Sequence, residues 1–298
     1  MEMFFQQLLF GFTVGATFAL VALGFSMQFR AMSLLNFAHG ESFMMGAFIG
    51  LLCHVSLGLP LWVTWLITMA ACGVAGVIIE YLAIRPLYLS PVLNLFISTI
   101  GLSLALRQVA MILSGAIAFR FPLTIGEKPI NIGGVAVVPE QIWVLGVAIL
   151  IMYGFEQYLK KTRLGKAMRT VAQEPYVAAL MGISVLSMKS LVYALSTMLG
   201  GAAGLLFAPL LFVTFDMGLL MGVKGFICAC LGGMGSIPGA ILGGFVLGIV
   251  EQFIAGYVSS LYKDSISFFI LILVISIFPR GLLIGAVRGS EKWREKIG

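Results

Sequence analysis

Charge is what this sequence most lacks. Asp, Glu, Lys and Arg together make up 10% of its 298 residues, where a water-facing surface needs roughly 25%. Hydrophobic residues make up 60%, and the mean hydropathy is +1.09. Such a chain cannot cover a soluble domain, so it reads as an integral membrane protein. Short segments alternating in polarity, the mark of a barrel, are missing; runs of about 20 apolar residues point to helices instead. Histidine and cysteine are also scarce. The four thiols (Cys53, Cys72, Cys228, Cys230) all lie in apolar stretches and read as small buried hydrophobes, without the spacing of a zinc site or a disulfide framework. No metal site and no catalytic residue is expected. No G-x-x-x-x-G-K-[ST] loop occurs, which excludes the usual phosphate cradle for ATP. The first apolar stretch has no basic residues ahead of it, its only early charge being Glu2, so it reads as a first span and not as a cleaved signal.

What is present is a series of apolar runs near 5–29, 41–58, 61–84, 92–114, 141–159, 190–213, 218–232, 238–260 and 264–279. They predict one all-α domain over 1–298, a polytopic transmembrane bundle of about eight to ten spans. The net charge of +6 does not point to nucleic acid, because the basic residues gather beside spans, at Lys160 to Arg169 and at Arg288 to Lys296. The positive-inside rule accounts for them. It puts a loop over 160–189 and a tail over 280–298 in the cytoplasm, with the N-terminus and a loop over 115–140 outside. In that outer loop, alternating Ile130, Ile132, Val135 and Val137 flank Gly133-Gly134, which predicts a two-residue β-hairpin turn.

Thirty-six glycines recur partly as small-x-x-x-small pairs, among them Gly11/Gly15, Gly200/Gly204 and Gly244/Gly248. In lipid such pairs let helix backbones approach closely. A faint internal echo is also present. A glycine-rich helix precedes NFAHGE in one half, and GGAAGLLFAPLL precedes LGGMGSIPGA in the other. An odd number of spans between them would make the two units an inverted repeat with broken helices.

The scarce polarity concentrates in SLLNFAHGESFMM, which holds Asn36, His39, Gly40, Glu41 and Ser42 within seven residues. Two readings are open. A helix broken at membrane depth would bring Asn36, His39, Glu41 and Ser42 to a translocation path. A plain cytoplasmic turn would use Asn36 as a cap and Glu41 at a helix start. Arg107 lies inside an apolar run, and two readings are open: a charge facing a cavity, or a charge that pairs with Glu80 or Glu251 or snorkels to the outer interface. Asn94, Gln108 and Gln252 are candidates for hydrogen bonds between helices.

In the loop 160–189, Glu174-Pro175 predicts a helix start and Gly182 a helix end. The short helix between them, Pro175 to Met181, would carry exposed Tyr176, Val177, Leu180 and Met181. It would either rest on the bilayer or dock a soluble partner.

Taken together, NFAHGESFMMGAF, AQEPYVAALMGIS, LGGMGSIPGAILGGFVLG and FPRGLLIG resemble the permease family of branched-chain amino acid ABC importers over nearly the whole chain. The shorter of that system's two permeases is the closer match. The resemblance implies a bacterial inner-membrane subunit that itself carries no cofactor. Its implied partners are a second, homologous permease, two cytoplasmic ATPases that bind ATP and magnesium, a periplasmic binding protein, and membrane lipid. It implies ATPase coupling through Glu174, Pro175, Ala178, Ala179, Gly182 and Ile183, in a loop similar to the EAA loop of other importers. The chain departs from that pattern at Pro175 and Tyr176. The solute implied is a branched-chain or other apolar amino acid; urea, short amides or aromatic acids on the same architecture are the alternative. An ion-coupled secondary transporter is a more distant one, for which Glu80 and Glu251 would be the central carboxylates.

Overall fold

The computed structural model describes residues 2–32, 35–88, 90–122, 130–132 and 135–277. The expected tail over 280–298, the turn residues Gly133-Gly134, and Lys128 lie outside these. The described chain is an all-α bundle with one small hairpin. In order come α1 (Glu2–Met32), α2 (His39–Leu51, continued by a wider π turn to Ser56), α3 (Leu61–Ile79) and α4 (Val92–Ser114). A π stretch (Glu80–Ile84) and a 3-10 turn (Arg85–Leu87) prolong α3. Next come strands β1 (Ile130–Ile132) and β2 (Val135–Val137), then α5 (Pro139–Lys161), α6 (Arg163–Gln173) and α7 (Pro175–Leu180). The chain continues with α8 (Val185–Phe207), α9 (Met217–Gly232), α10 (Ile237–Tyr257) and α11 (Lys263–Ile277).

Each expected apolar run contains a helix among the described residues. Six are long and apolar enough to cross a bilayer alone, while α2, α9 and α11 are shorter. The hairpin forms in the expected register, Ile130 opposite Val137 and Ile132 opposite Val135.

Helix direction sorts the loops onto two ends. The ends of α1, α3 and α5 and the starts of α4, α6 and α8 share one end, which carries Arg30, Arg85, Lys160, Lys161, Arg163, Lys166 and Arg169. At the opposite end, the segment after α4 joins the segment after α8: the Phe119 and Val213 amides each donate to the other's carbonyl, at 3.0 and 2.8 Å.

Glycine sets the tightest packing. The helices α1 and α10 run antiparallel, and a Cβ on Gly15 would come within 2.9 Å of the Phe245 Cα. Close backbone approach of this kind replaces the hydrophobic drive that lipid removes. Around the core, α4 presents Leu93, Ile97, Leu104, Ile112 and Leu113 outward, a face suited to lipid or a partner helix.

The inverted arrangement differs from the expected one in one respect. The helix α1 descends to the basic end, and after a break α2 starts again partway up. The helix α8 ascends to the other end, and after residues 208–216 α9 starts again partway down. So the second break precedes α9. It is not LGGMGSIPGA, which joins α9 to α10. Pro209 stands just past the end of α8, and the Phe119–Val213 bridge holds the segment after it off a helix.

Candidate functional site

The break between α1 and α2 is held by Asn36. Its side chain accepts from the Ala38 amide at 3.1 Å and donates to Gln28 Oε1 at 3.0 Å. Gln28 in turn donates to Ser196 on α8. His39 is fully buried, edge-on to Phe25 at 4.6 Å, with Nε2 3.2 Å from the Val21 carbonyl. A carbonyl partner requires the proton on Nε2, which leaves Nδ1 as an acceptor with no partner. Ser42 donates back to the His39 carbonyl at 2.6 Å. Asn36 and His39 thus fasten the break to α1, Gln28 carries the link on to α8, and the Ser42 bond closes the first turn of α2.

Glu41 faces another way. Its Oε1 accepts from Ser103 on α4 at 2.7 Å, and its Oε2 has no hydrogen-bond partner, although the residue is fully buried. Oε2 lies against the first turn of α9, where a Cβ on Gly218 would meet it at 2.5 Å. The starts of α2 and α9 therefore meet at Gly40 and Gly218. Both helix N-termini bring positive partial charge there, which favours a carboxylate.

The depth of this junction follows from its neighbours. Ser103 is the midpoint of the 23-residue α4. Val21, beside His39, precedes the end of α1 by eleven residues, about 16 Å at 1.5 Å per residue. The polar break thus sits at the level of the helix middles, and the plain surface turn is corrected.

Arg107 does not pair as expected. Glu80 accepts from Tyr88 and from Ser190, each at 2.7 Å. Glu251 is bound to Lys224 at 2.9 Å and to Ser267. Arg107 is instead half-buried on α4, one turn beyond Ser103, and its Nε has no partner. Asn94 and Gln108 are exposed on α4 and do not serve as buried interhelical links. Sequence reasoning missed Ser103, whose type is ordinary in a span, and Gln28, whose amide in the first apolar run was the same kind of signal as Asn94, Gln108 and Gln252.

On the basic end, α6 and α7 form the loop between α5 and α8. The Thr162 hydroxyl caps α6 by accepting from the Gly165 amide at 3.0 Å. The helix α7 starts at Pro175 and is closed by Gly182 at φ +79°. Ala178 is buried against α6 and α8, while Tyr176, Val177, Leu180 and Met181 are exposed. Glu174, Pro175 and Ala179 are exposed too, and Ile183 is half-buried. Just after the 3-10 turn, Tyr88 receives Lys189 over its ring at 4.2 Å. Burial, then its bond to Glu80, pushes its phenol well above the usual range. This cluster joins the start of α8 to the π stretch of α3.

Residues 7–275 match the family described as branched-chain amino acid transport system, permease component. The chain is 34% identical to the high-affinity branched-chain amino acid transport system permease protein BraD of Pseudomonas aeruginosa, over 94% of this chain and 95% of that one. It is 32% identical to the corresponding protein LivH of Escherichia coli K12, again over 94% and 95%. The ribose import permease protein RbsC of Haemophilus influenzae is 23% identical over 88% of this chain and 78% of its own length.

Proposed function

This chain belongs to the family of branched-chain amino acid transport permease components, and from that membership we propose that it imports branched-chain or closely related apolar amino acids as one membrane subunit of an ABC importer. The match over residues 7–275, at 34% identity to a branched-chain permease, carries this reading. In this reading a second permease completes the membrane part. Two cytoplasmic ATPases bind ATP and magnesium, and a periplasmic protein delivers the solute. The basic end faces the cytoplasm, so the N-terminus and the hairpin are periplasmic.

The geometry supplies a route for coupling. The exposed apolar face of α7 is suited to a cleft on an ATPase. Movement of α7 would reach α8 directly, and through Lys189, Ser190, Tyr88 and Glu80 would reach the π stretch of α3. Such π turns recur at functional sites in helices. At mid-depth, α2 starts against α8 and α4 and meets the start of α9, so a shift of α8 would move α2 and open or close the junction at Gly40, Glu41 and Gly218. Of the expected pathway residues, Asn36, His39 and Ser42 would hold the junction in shape, and Glu41 would face the solute.

Uptake of labelled leucine in a strain deleted for this gene tests the reading. Loss of high-affinity uptake, restored by the intact gene, is expected. Unchanged uptake in a strain with no redundant importer would refute the amino acid assignment. Urea, amides, aromatic acids and a sugar would then be screened on the cognate binding protein, the sugar because of the ribose permease relative.

A further inference from the structure

Two sets of charged residues reach into the described bundle, with Glu41, Lys224 and Glu251 buried and Arg107 and Asp264 partly exposed. Lys224 closes on Glu251 at 2.9 Å and on Asp264 at 2.7 Å. Glu41 is joined to Ser103, one turn before Arg107 on α4, and no ion pair within 4.0 Å joins it to Arg107 among the described residues. Each keeps a buried atom without a partner, Oε2 on Glu41 and Nε on Arg107. A charge left open at membrane depth is costly, and is kept where a ligand or ion completes it.

The two groups are spaced for one kind of ligand. The Ser103 hydroxyl donates to Glu41, as an ammonium would. Arg107 is four residues further along α4, so its side chain starts about 5–6 Å from that of Ser103 on the same face. A ligand with a cation and an anion on adjacent carbons spans such a gap. Apart from the buried packing of Leu95 with Ile84 and Tyr193, α4 has few side-chain ties to the bundle here. Besides the Ser103 bond, it has Ser98 donating to the Ala83 carbonyl at 3.1 Å and Phe96 edge-on to Phe37 at 4.9 Å. A small outward shift of α4 would free Glu41 while Phe37 and Phe96 remained nearby as apolar cover.

We infer that Glu41, Ser103 and Arg107 form a mid-membrane subsite for the zwitterionic head of an α-amino acid. Glu41 takes the ammonium in place of the Ser103 hydroxyl, and Arg107 takes the carboxylate. Charge-assisted bonds of this kind are the strong ones. This rests on the amino acid reading above, and it adds a second selection step after the binding protein.

The test uses the full assembly with its partner subunits in lipid nanodiscs, without the binding protein. Binding of labelled leucine is competed with leucine, with 4-methylpentanoate (no ammonium) and with 3-methylbutylamine (no carboxylate). The wild type should prefer leucine to either analogue by about tenfold or more, the effect of one ~1.4 kcal/mol contact. Glu41→Gln should abolish the preference over 4-methylpentanoate and keep the preference over the amine, and Arg107→Gln should do the reverse. Ser103→Ala, which leaves both charges and empties the ammonium position, should bind leucine at least as well as wild type. A purely structural role for Glu41 would leave the analogue ratios unmoved. If Glu41→Gln binds nothing, loss of binding in Ser103→Ala as well would overturn the site; retained binding there would uphold it. A wild-type assembly that imports no branched-chain amino acid refutes the amino acid reading itself. One that imports leucine while Glu41→Gln keeps full discrimination refutes only the subsite.

Discussion

At the scale of single residues, the bundle separates structural charge from open charge. Lys224 has 4% of its side chain exposed and Glu251 2%, and Ser267 adds a third group to the carboxylate. Removing one partner of a buried pair typically costs about 3–5 kcal/mol, whereas removing both costs far less. Lys224→Met should therefore lower the thermal unfolding temperature of the detergent-solubilised protein sharply. Lys224→Met with Glu251→Leu should recover most of that loss, since Asp264 is 38% exposed and can be hydrated. Equal losses in the single and double variants would mean that the pair is not a closed structural unit. Little of this was legible in the sequence. Lys224 and Glu251 could be seen as charges in apolar runs, but their partnership spans 27 positions, and no local pattern announces it. Glu41 was legible because polarity is so scarce around it. Ser103 was not, because serine in a membrane helix is commonplace.

At the scale of elements, α7 and the two broken helices behave oppositely with respect to prediction. The limits of α7 are set by local backbone chemistry, Pro at the first position and a left-handed Gly182 at the end, so they could be read directly. The break before α9 shows in Pro209 and in the gap between the runs 190–213 and 218–232, but its depth depends on a bridge between distant loops and on the meeting of Gly40 with Gly218, which no local pattern announces. The legible element gives the sharper prediction. Leu180 is 71% exposed, so Leu180→Glu should leave folding alone and reduce co-purification of the ATPases by about tenfold, the effect of one ~1.4 kcal/mol contact. Gly182→Ala meets no atom within 4 Å but must adopt positive φ, a cost of roughly 1 kcal/mol. It should weaken coupling by a smaller factor and lower the unfolding temperature slightly. Normal ATPase recovery with Leu180→Glu would remove α7 from the coupling surface.

At the scale of the whole molecule, the described chain is two inverted long-helix and half-helix units, α1 with α2 and α8 with α9, whose half-helices start against each other at mid-depth. Inversion means that a movement toward one end closes one unit as it opens the other, which is the geometry alternating access requires. It also makes orientation a physical property of the molecule, because the ends are not equivalent in charge. Lys and Arg crowd the end that carries α6 and α7, whereas Arg120 and Lys263 stand at the other. Charge asymmetry of this size sets topology during insertion. The consequence can be measured with single cysteines, since Cys53, Cys72 and Cys228 are buried and Cys230 is partly so, leaving a low background. Ile130→Cys on β1 and Tyr176→Cys on α7 are both exposed positions, at 52% and 75%. A membrane-impermeant maleimide applied to intact spheroplasts should label Ile130→Cys and spare Tyr176→Cys until the membrane is opened. The reverse pattern would turn the molecule over in the membrane. It would put α7 beyond the reach of any cytoplasmic ATPase, so the coupling route argued from it would fall.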